Sequence, residues 1–454
     1  MEFFFCFLLL SAHLLLASSL VQFQDNGLTP KQVSIHLEVH HGQSQLNHST
    51  TSSLEFFSPK ILEKDEQRVE AIRSRFSNKN LSNIKPELVS TPLKSGLSIG
   101  SGNYYVKLGV GTPPQYSSLI VDTGSSLSWL QCQPCKGSCH PQVDPLFNPS
   151  RSKTFKKFPC SSPSCSSLKE STLNDPGCEV GSGACVYREA YGDSSFSIGY
   201  LSQDVLSLTP SETLPGFVYG CGQNNQGLFG KSSGILGLGH DKLSALAQLS
   251  TKYGYAFSYC LPTSFSASKP SKGGYLSIGS SSLAKSPFKF TPMVKNPKIP
   301  SLYSIDLTAI TVAGRPLGIA ASSYKVPTIV DSGTVITRLP MPVYTALKEA
   351  FVKIMSKKYK PTEGISILDT CFEGRAKEIV NVPEIGMIFQ GGAALPLNGH
   401  NTLIELDEKT TCLAIAGSSG TNPIAIIGNY QQQTFNVAFD ISNSKIGFAP
   451  AGCE

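Results

Sequence analysis

The sequence predicts a mostly β protein built from two similar lobes. Three observations carry that prediction: a composition rich in turn formers and poor in charge, a strand–turn–strand pattern over most of the chain, and one short motif that occurs twice. Among 454 residues there are 40 Gly and 30 Pro, with 15% charged and 40% hydrophobic. This mixture does not suit a coiled coil, a helical repeat or a disordered acidic chain, and it leaves ample apolar material for a core. The formal net charge of +6 comes from 38 basic and 32 acidic residues. The basic residues are scattered, with no spot denser than pairs such as Lys156-Lys157 and Lys357-Lys358. Nucleic-acid binding needs a clustered patch or stripe, so no nucleic-acid partner is expected.

Taken in chain order, Phe3–Leu20 is an apolar run with the small residues Ala17, Ser18 and Ser19 near its end. It reads as a signal peptide over residues 1–20, although Glu2 stands where a basic residue is usual. A membrane anchor is the competing reading, but 18 residues with an internal His are marginal for a span. The expectation is a secreted protein with no membrane association after signal removal. Residues 21–97 hold no Cys and carry a slight basic excess. Within them Ile61–Phe76 places Leu62, Val69, Ile72 and Phe76 at helical spacing. Both glycosylation candidates, Asn47 and Asn80, also fall here. A helix-prone, Cys-free segment between a signal peptide and a Cys-rich body reads as a removable prosegment, since a domain of its own would have little core.

From about Ser98 the pattern becomes strand, turn, strand. Tyr104–Val110 alternates and stops at Gly111-Thr112-Pro113-Pro114, a strong turn signal. Leu119–Val121 is a short buried run ending at Asp122. Leu243–Tyr253 and Pro342–Lys357 read as helices, the second with Leu347, Ala350, Phe351 and Ile354 on one face, and Ser264–Gly274 reads as a polar loop. Of thirteen cysteines, Cys6 lies in the apolar leader, and the other twelve run from Cys132 to Cys453. An even number fits a disulfide framework formed in an oxidising compartment.

The repeated motif carries the chemistry. Leu119-Ile120-Val121-Asp122-Thr123-Gly124-Ser125 is matched by Thr328-Ile329-Val330-Asp331-Ser332-Gly333-Thr334. Each copy is answered downstream by an apolar pair and a glycine, Ile235-Leu236-Gly237 and Ile426-Ile427-Gly428. One Asp-Ser/Thr-Gly triplet alone would be read as a turn in which Asp caps its own backbone. Two copies of a longer pattern mark an internally duplicated, two-lobed chain. A carboxylate ending a buried strand is costly unless paired or hydrogen-bonded, and here two can face each other. Carboxyls roughly 3 Å apart cannot both ionise and share one proton over a wide pH interval. The ionised member can take a proton from a water held between them while the protonated member polarises a carbonyl, which is general acid–base hydrolysis of an amide. The hydroxyls of Thr123, Ser125, Ser332 and Thr334 are spaced to brace the loops and carboxylates, and Gly124 and Gly333 permit the tight backbone between them.

On these motifs, residues 98–454 resemble the pepsin-like aspartic proteases. The resemblance implies a bilobal β fold with a cleft between an N-terminal lobe, 98–283, and a C-terminal lobe, 284–454, each supplying one aspartate. It also implies that Trp129 lies beneath the flap and that Tyr191, in Tyr191-Gly192-Asp193-Ser194-Ser195, is the flap tyrosine that closes over the peptide. The cysteine cluster from Cys132 to Cys185, together with Gly220-Cys221-Gly222-Gln223-Asn224-Asn225-Gln226-Gly227, resembles the nepenthesin-like plant members. That likeness implies the pairings Cys260–Cys453 and Cys371–Cys412; sequence alone leaves the full connectivity open.

Competing patterns are weaker. Cys132, Cys135, Cys139 and His140 have a spacing that could suit zinc or a redox pair, but the leader and the even cysteine count favour disulfides. Gly96-Leu97-Ser98-Ile99-Gly100 matches a nucleophile elbow without the helix that should follow. His140, His240 and His400 form no triad or metal spacing. Some xylanase-inhibitor relatives keep this fold for binding after losing a catalytic aspartate or its loop, whereas both loops are intact here. A plastid nucleoid protease would carry an Arg- and Ser-rich transit peptide, and here no Arg precedes Arg68. The expectation is therefore a secreted aspartic endopeptidase, extracellular or apoplastic rather than plastid or endomembrane. It would be a monomer that needs no cofactor or metal and acts on peptides or proteins. It would be made as a zymogen whose basic prosegment pairs with cleft carboxylates near neutral pH and leaves in acid.

Overall fold

The computed structural model describes residues 34–41, 59–75, 102–191, 195–227, 229–263, 274–284, 286–418, 422–450 and 452–453. The expected signal peptide, Asn47, Asn80, the flap residues 192–194 and the loop residues 264–273 lie outside the described residues.

Strand ends fall where the turn chemistry places them. The strand Tyr104–Val110 is buried except at Lys107 and stops at Gly111, whose φ of +96° is a conformation that glycine adopts readily. In chain order the elements that build the site are β1 (Ile35–His41), α1 (Pro59–Arg75), β2 (Tyr104–Val110), β3 (Gln115–Asp122) and β4 (Trp129–Gln131). They continue with β5 (Cys185–Ala190), β6 (Phe196–Ser207), β7 (Thr213–Gln226), β8 (Gly234–Gly237), β9 (Ala256–Cys260) and β10 (Gly274–Ile278). The second half adds β11 (Thr328–Val330), β12 (Thr337–Pro340), β13 (Ile415–Ser418), β14 (Ala425–Ile427), β15 (Asn436–Asp440) and β16 (Lys445–Ala449).

One long sheet runs β16-β15-β9-β10-β1-β2-β3-β8-β4-β7-β6-β5, so strands from both halves of the chain share it. A second sheet contains β11, β14, β12 and β13. The fold is pepsin-like and bilobal, mostly β with a few short helices. At the junction of the halves, Phe257 of β9 stacks on Phe439 of β15 with ring centroids 4.4 Å apart, and Tyr303 packs against Phe439 at 4.7 Å. These buried rings contribute area plus favourable offset contacts.

The two sequence-expected helices of the body form over Ala245–Tyr253, capped by the Ser244 side chain, and Met341–Met355, within a few residues of the expected ends. Helices such as Pro163–Ser166, Leu168–Thr172 and Asn429–Gln432 are too short to leave a periodic signal. The helix-prone segment before the body also holds a strand, β1, which the sequence reading did not expect. Its Ile35, Leu37 and Val39 are buried between exposed His36 and Glu38, a period-two pattern that marks a half-buried strand. β1 pairs antiparallel with β10 from Ile35–Ile278 to Val39–Gly274, then with β2 through His40–Tyr105 and His41–Tyr104.

The twelve cysteines of the body pair as Cys132–Cys221, Cys135–Cys139, Cys160–Cys178, Cys165–Cys185, Cys260–Cys453 and Cys371–Cys412. The cysteines of the zinc-like spacing are thus all in disulfides, and Cys135 is joined to Cys139 rather than Cys132. Among the described residues no helix is long and apolar enough to cross a membrane.

Cys260–Cys453 ties β9 to the chain end across a sequence separation of 193. Replacing both by Ser frees that long loop in the unfolded state and is expected to lower stability by about 2–4 kcal/mol. A urea midpoint unchanged from the oxidised parent contradicts this.

Candidate active site

The aspartate of the first motif copy ends β3, and that of the second directly follows β11. Their downstream partners are the neighbouring strands. β8 runs parallel to β3 with Ile235 beside Ile120 and Gly237 beside Asp122, and β14 runs parallel to β11 with Ile426 beside Ile329. Apolar pairs fill the buried lanes next to each aspartate-bearing strand, and the glycines after them leave room for the backbone of Ser126–Leu127 at Gly237 and of Val335–Ile336 at Gly428.

The two loops clasp each other with two-fold regularity. The Thr123 amide donates to Ser332 Oγ at 3.1 Å, and the Ser332 amide donates to Thr123 Oγ1 at 3.0 Å. Each hydroxyl then donates across the junction, Thr123 Oγ1 to the Val330 carbonyl at 3.2 Å and Ser332 Oγ to the Val121 carbonyl at 2.9 Å. Each carboxylate is braced alike. Asp122 accepts from Ser125 Oγ at 2.6 Å and the Gly124 amide at 2.9 Å; Asp331 accepts from Thr334 Oγ1 at 2.5 Å and the Gly333 amide at 2.9 Å. A β-carbon at Gly124 would lie 2.7 Å from Asp331 Oδ1, and one at Gly333 would collide with Asp122 Oδ1. Side chains at either position would therefore push the loops apart.

Both aspartates are fully buried, and one guanidinium joins them. Arg68 of α1 reaches Asp122 Oδ1 at 2.7 Å and Asp331 Oδ1 at 3.0 Å through Nη2, while its Nε donates to Asp331 Oδ2 at 3.0 Å. Burial pushes the Asp122 carboxyl up, but Arg68, the Ser125 hydroxyl and the Gly124 amide outweigh it and hold it below the usual aspartate value. Burial alone would lower the Arg68 value; the two aspartates overturn that and raise it.

α1 is shaped for this position. Ile61, Asp65, Arg68, Ile72 and Arg75 recur at three- and four-residue spacing, which is one face of a helix. Ile61 and Leu62 pack in the cluster of Val335, Ile336 and Leu368, while Val69 and Ile72 pack with Ile299, Leu302 and Ile329. Asp65 accepts from the amides of Val335 and Ile336, the second at 2.9 Å, and pairs with Arg338 at 3.1 Å; Glu66 pairs with Arg338 Nε at 2.9 Å. Burial raises the Asp65 carboxyl more than Arg338 and those amides lower it. A gap beside the helix is lined by Asp65 and Arg68 on one side and by Ile120, Tyr191, Phe229 and Val335 on the other.

Trp129 and Tyr191 are brought together: the indole Nε1 donates to the phenol oxygen at 2.7 Å, and Phe229 packs edge-on against both rings. The buried face of β5 ends in Glu189, two residues before Tyr191 and 2% exposed, with no hydrogen-bond partner for Oε2 among the described residues. Burial lifts this carboxyl, Arg75 pulls it back, and Asp122 and Asp241 add to the rise, leaving it pushed up to about 8. His140 is a packing residue: its Nε2 lies 2.9 Å from the Ser232 carbonyl and its ring rests on Phe229. Sequence reasoning named no individual prosegment contact and missed Arg338 and Glu189. The seven-residue spacing of Arg68 and Arg75 on one helical face was the available signal for the first.

Residues 104–280 match the family described as xylanase inhibitor N-terminal, and residues 302–450 match xylanase inhibitor C-terminal. An aspartyl protease family protein of Arabidopsis thaliana is 43% identical over 93% of this chain and 87% of its own length. The aspartic proteinase nepenthesin-2 of Nepenthes gracilis is 36% identical over 91% of this chain and 92% of its own. The crystal structure of basic 7S globulin from soybean superposes with a TM-score of 0.60 at 21% identity, over 77% of this chain and 93% of that one, a likeness of fold.

Because its folded value of about 8 lies above the ordinary 4.5, Glu189 favours folding fully below pH 4.5, and its contribution is lost as pH rises through about 8. Glu189→Gln is expected to flatten the stability-versus-pH curve over that interval. Parallel curves for variant and parent contradict the assignment.

Proposed function

The chain belongs to the plant aspartyl protease family, and from that premise we propose that it is a secreted aspartic endopeptidase made as a zymogen, with Asp122 and Asp331 as its catalytic pair. The observation that carries this reading is the pair of buried carboxylates, each held by the same hydroxyl and amide from symmetry-like loops and both engaged by a single cation. In this reading residues 1–20 are the signal peptide and 21–97 the prosegment. Residues 98–283 and 284–454 form the two lobes, with Asn47 and Asn80 as glycosylation candidates.

Arg68 stands where the attacking water would stand. Once it leaves, two carboxyls so close cannot both remain ionised, and they share one proton. The ionised member then takes a proton from a water as its oxygen bonds to the peptide carbonyl carbon, and the other gives its proton to the carbonyl oxygen. Collapse of the resulting tetrahedral diol breaks the C–N bond as the amine nitrogen takes up a proton and the spare hydroxyl proton returns to a carboxylate. Atoms balance with one water consumed and no covalent enzyme intermediate. Tyr191, held by Trp129, would cover the peptide. Burial keeps its phenol far above its ordinary value, so it stays a donor throughout the acid range.

Acid supports both release and chemistry. Asp122 is depressed while docked to Arg68, so this pair's contribution to docking is full above the ordinary value of 3.8 and is lost as pH falls through the lower docked value. Asp65 works in the opposite sense, because a raised value makes docking favour its protonated form. Release in acid therefore acts through the Arg68 contact.

Peptide-library digestion by acid-incubated protein at about pH 3–5 tests the reading, with one member of such a dyad protonated in that range. Asp122→Asn and Asp331→Asn are each expected to lower turnover by at least about 100-fold. An inert wild type, folded and processed, would instead place the chain with the binding proteins that the xylanase-inhibitor description covers. In the unprocessed chain, Arg68→Met removes charge-assisted bonds worth about 1.5–3 kcal/mol, so docking should weaken about 10- to 100-fold and activity appear at higher pH. An activation profile identical to the parent's contradicts the role given to Arg68.

A further inference from the structure

Arg338 is a fully buried cation whose carboxylate partners among the described residues both come from α1. Its side chain is 0% exposed; Nη1 meets Asp65 at 3.1 Å, Nε meets Glu66 at 2.9 Å, and Nη2 has no hydrogen-bond partner among the described residues. To the body, Nη1 also donates to the Ile336 carbonyl at 2.8 Å. Beside it the amides of Val335 and Ile336 both point at Asp65. A guanidinium flanked by two convergent amides is a receptor for a planar carboxylate. When the prosegment leaves, the ion pairs and both amide bonds are lost together, and a buried, unpaired charge is costly.

The receptor borders the cleft through Val335, and its occupant Asp65 lines the same gap. Val335 follows the Asp331 loop directly and lines the gap that also holds Asp122 and Tyr191. Asp65 precedes Arg68 by three residues on α1, an axial rise of about 4.5 Å. An extended peptide advances about 3.3 Å per residue, so a carboxylate in this receptor would belong to a residue within about three positions of the bond held at the aspartates.

We propose that Arg338, with the amides of Val335 and Ile336, is a specificity site for an acidic side chain of the substrate, occupied in this structure by Asp65 and Glu66. The proposal rests on the protease reading and deepens it. The prosegment helix presents to the cleft the carboxylate that a preferred peptide presents after maturation. Asparagine at the same position matches the shape without the charge, and lysine meets a cation.

The test uses a peptide that the processed wild-type enzyme cleaves, with Asp, Asn, Glu, Gln or Lys placed in turn at three positions on each side of the scissile bond. Measurement at about pH 5.5 keeps an aspartate of ordinary pKa near 3.9 ionised. The expected result is one position on one side where Asp or Glu raises kcat/KM at least ten-fold over Asn or Gln, with Lys the poorest. Arg338→Met should bring that ratio close to one. If the variant does not fold, the wild-type panel decides alone, and the absence of any position with more than about three-fold preference overturns the proposal. If the wild type cleaves nothing, the protease reading fails and the site is decided by binding. Tighter capture of a labelled Asp peptide than its Asn twin by the processed chain supports the receptor, and equal capture overturns it.

Discussion

Two carboxylates confined in one water-poor pocket repel each other, and much of the surrounding architecture exists to make their closeness tolerable. Hydroxyls and amides from each loop satisfy the lone pairs, the Thr123 and Ser332 side chains lock the loops to each other, and glycine at both tips removes the atoms that would collide. What remains after this bracing is a deficit of positive charge. In the present structure a guanidinium supplies it. In the proposed working form a proton does, and the exchange of one for the other is the transition from latent to active.

The arginine does not stand alone on its helix. Along one face α1 presents Asp65 to a buried cation, Arg68 to two buried anions, and Arg75 toward the buried Glu189. Each of these three charges is opposite to the charge it meets, so the face complements the cleft's electrostatics. Apolar residues between the charges, Ile61, Leu62, Val69 and Ile72, join clusters of the body. That combination explains why the helix holds this place: burial supplies the affinity and charge fixes the register.

Local patterns were legible and long-range ones were not. The duplication was visible because a strand end, an aspartate, a hydroxyl and a glycine are consecutive, and the answering Ile235-Leu236-Gly237 and Ile426-Ile427-Gly428 segments proved to be the strands lying alongside. The ends of Tyr104–Val110 and of the two body helices followed from turn and cap residues. Arg338 left no trace because its meaning comes from Asp65 and Glu66, which lie 273 and 272 residues away in the chain. Glu189 sits in an alternating strand like any outward polar residue, and only the fold turns that face inward. β1 did carry a readable period-two signal, but it is short and stands in a segment whose stronger pattern is helical.

That strand also gives the proposed latent form a kinetic character. A cut anywhere in residues 76–101 severs the covalent link to the body, yet the fragment remains fastened by a ladder from Ile35 to Val39 against β10 and by the helix in the cleft. Departure then requires unzipping a strand from the middle of a sheet, which bares the facing edges of β10 and β2 at once. Scission and liberation are therefore separate events with separate rates. In the proposed zymogen, a severed but unreleased fragment would be a non-covalent inhibitor whose residence time, rather than the speed of the cut, sets how soon the cleft opens.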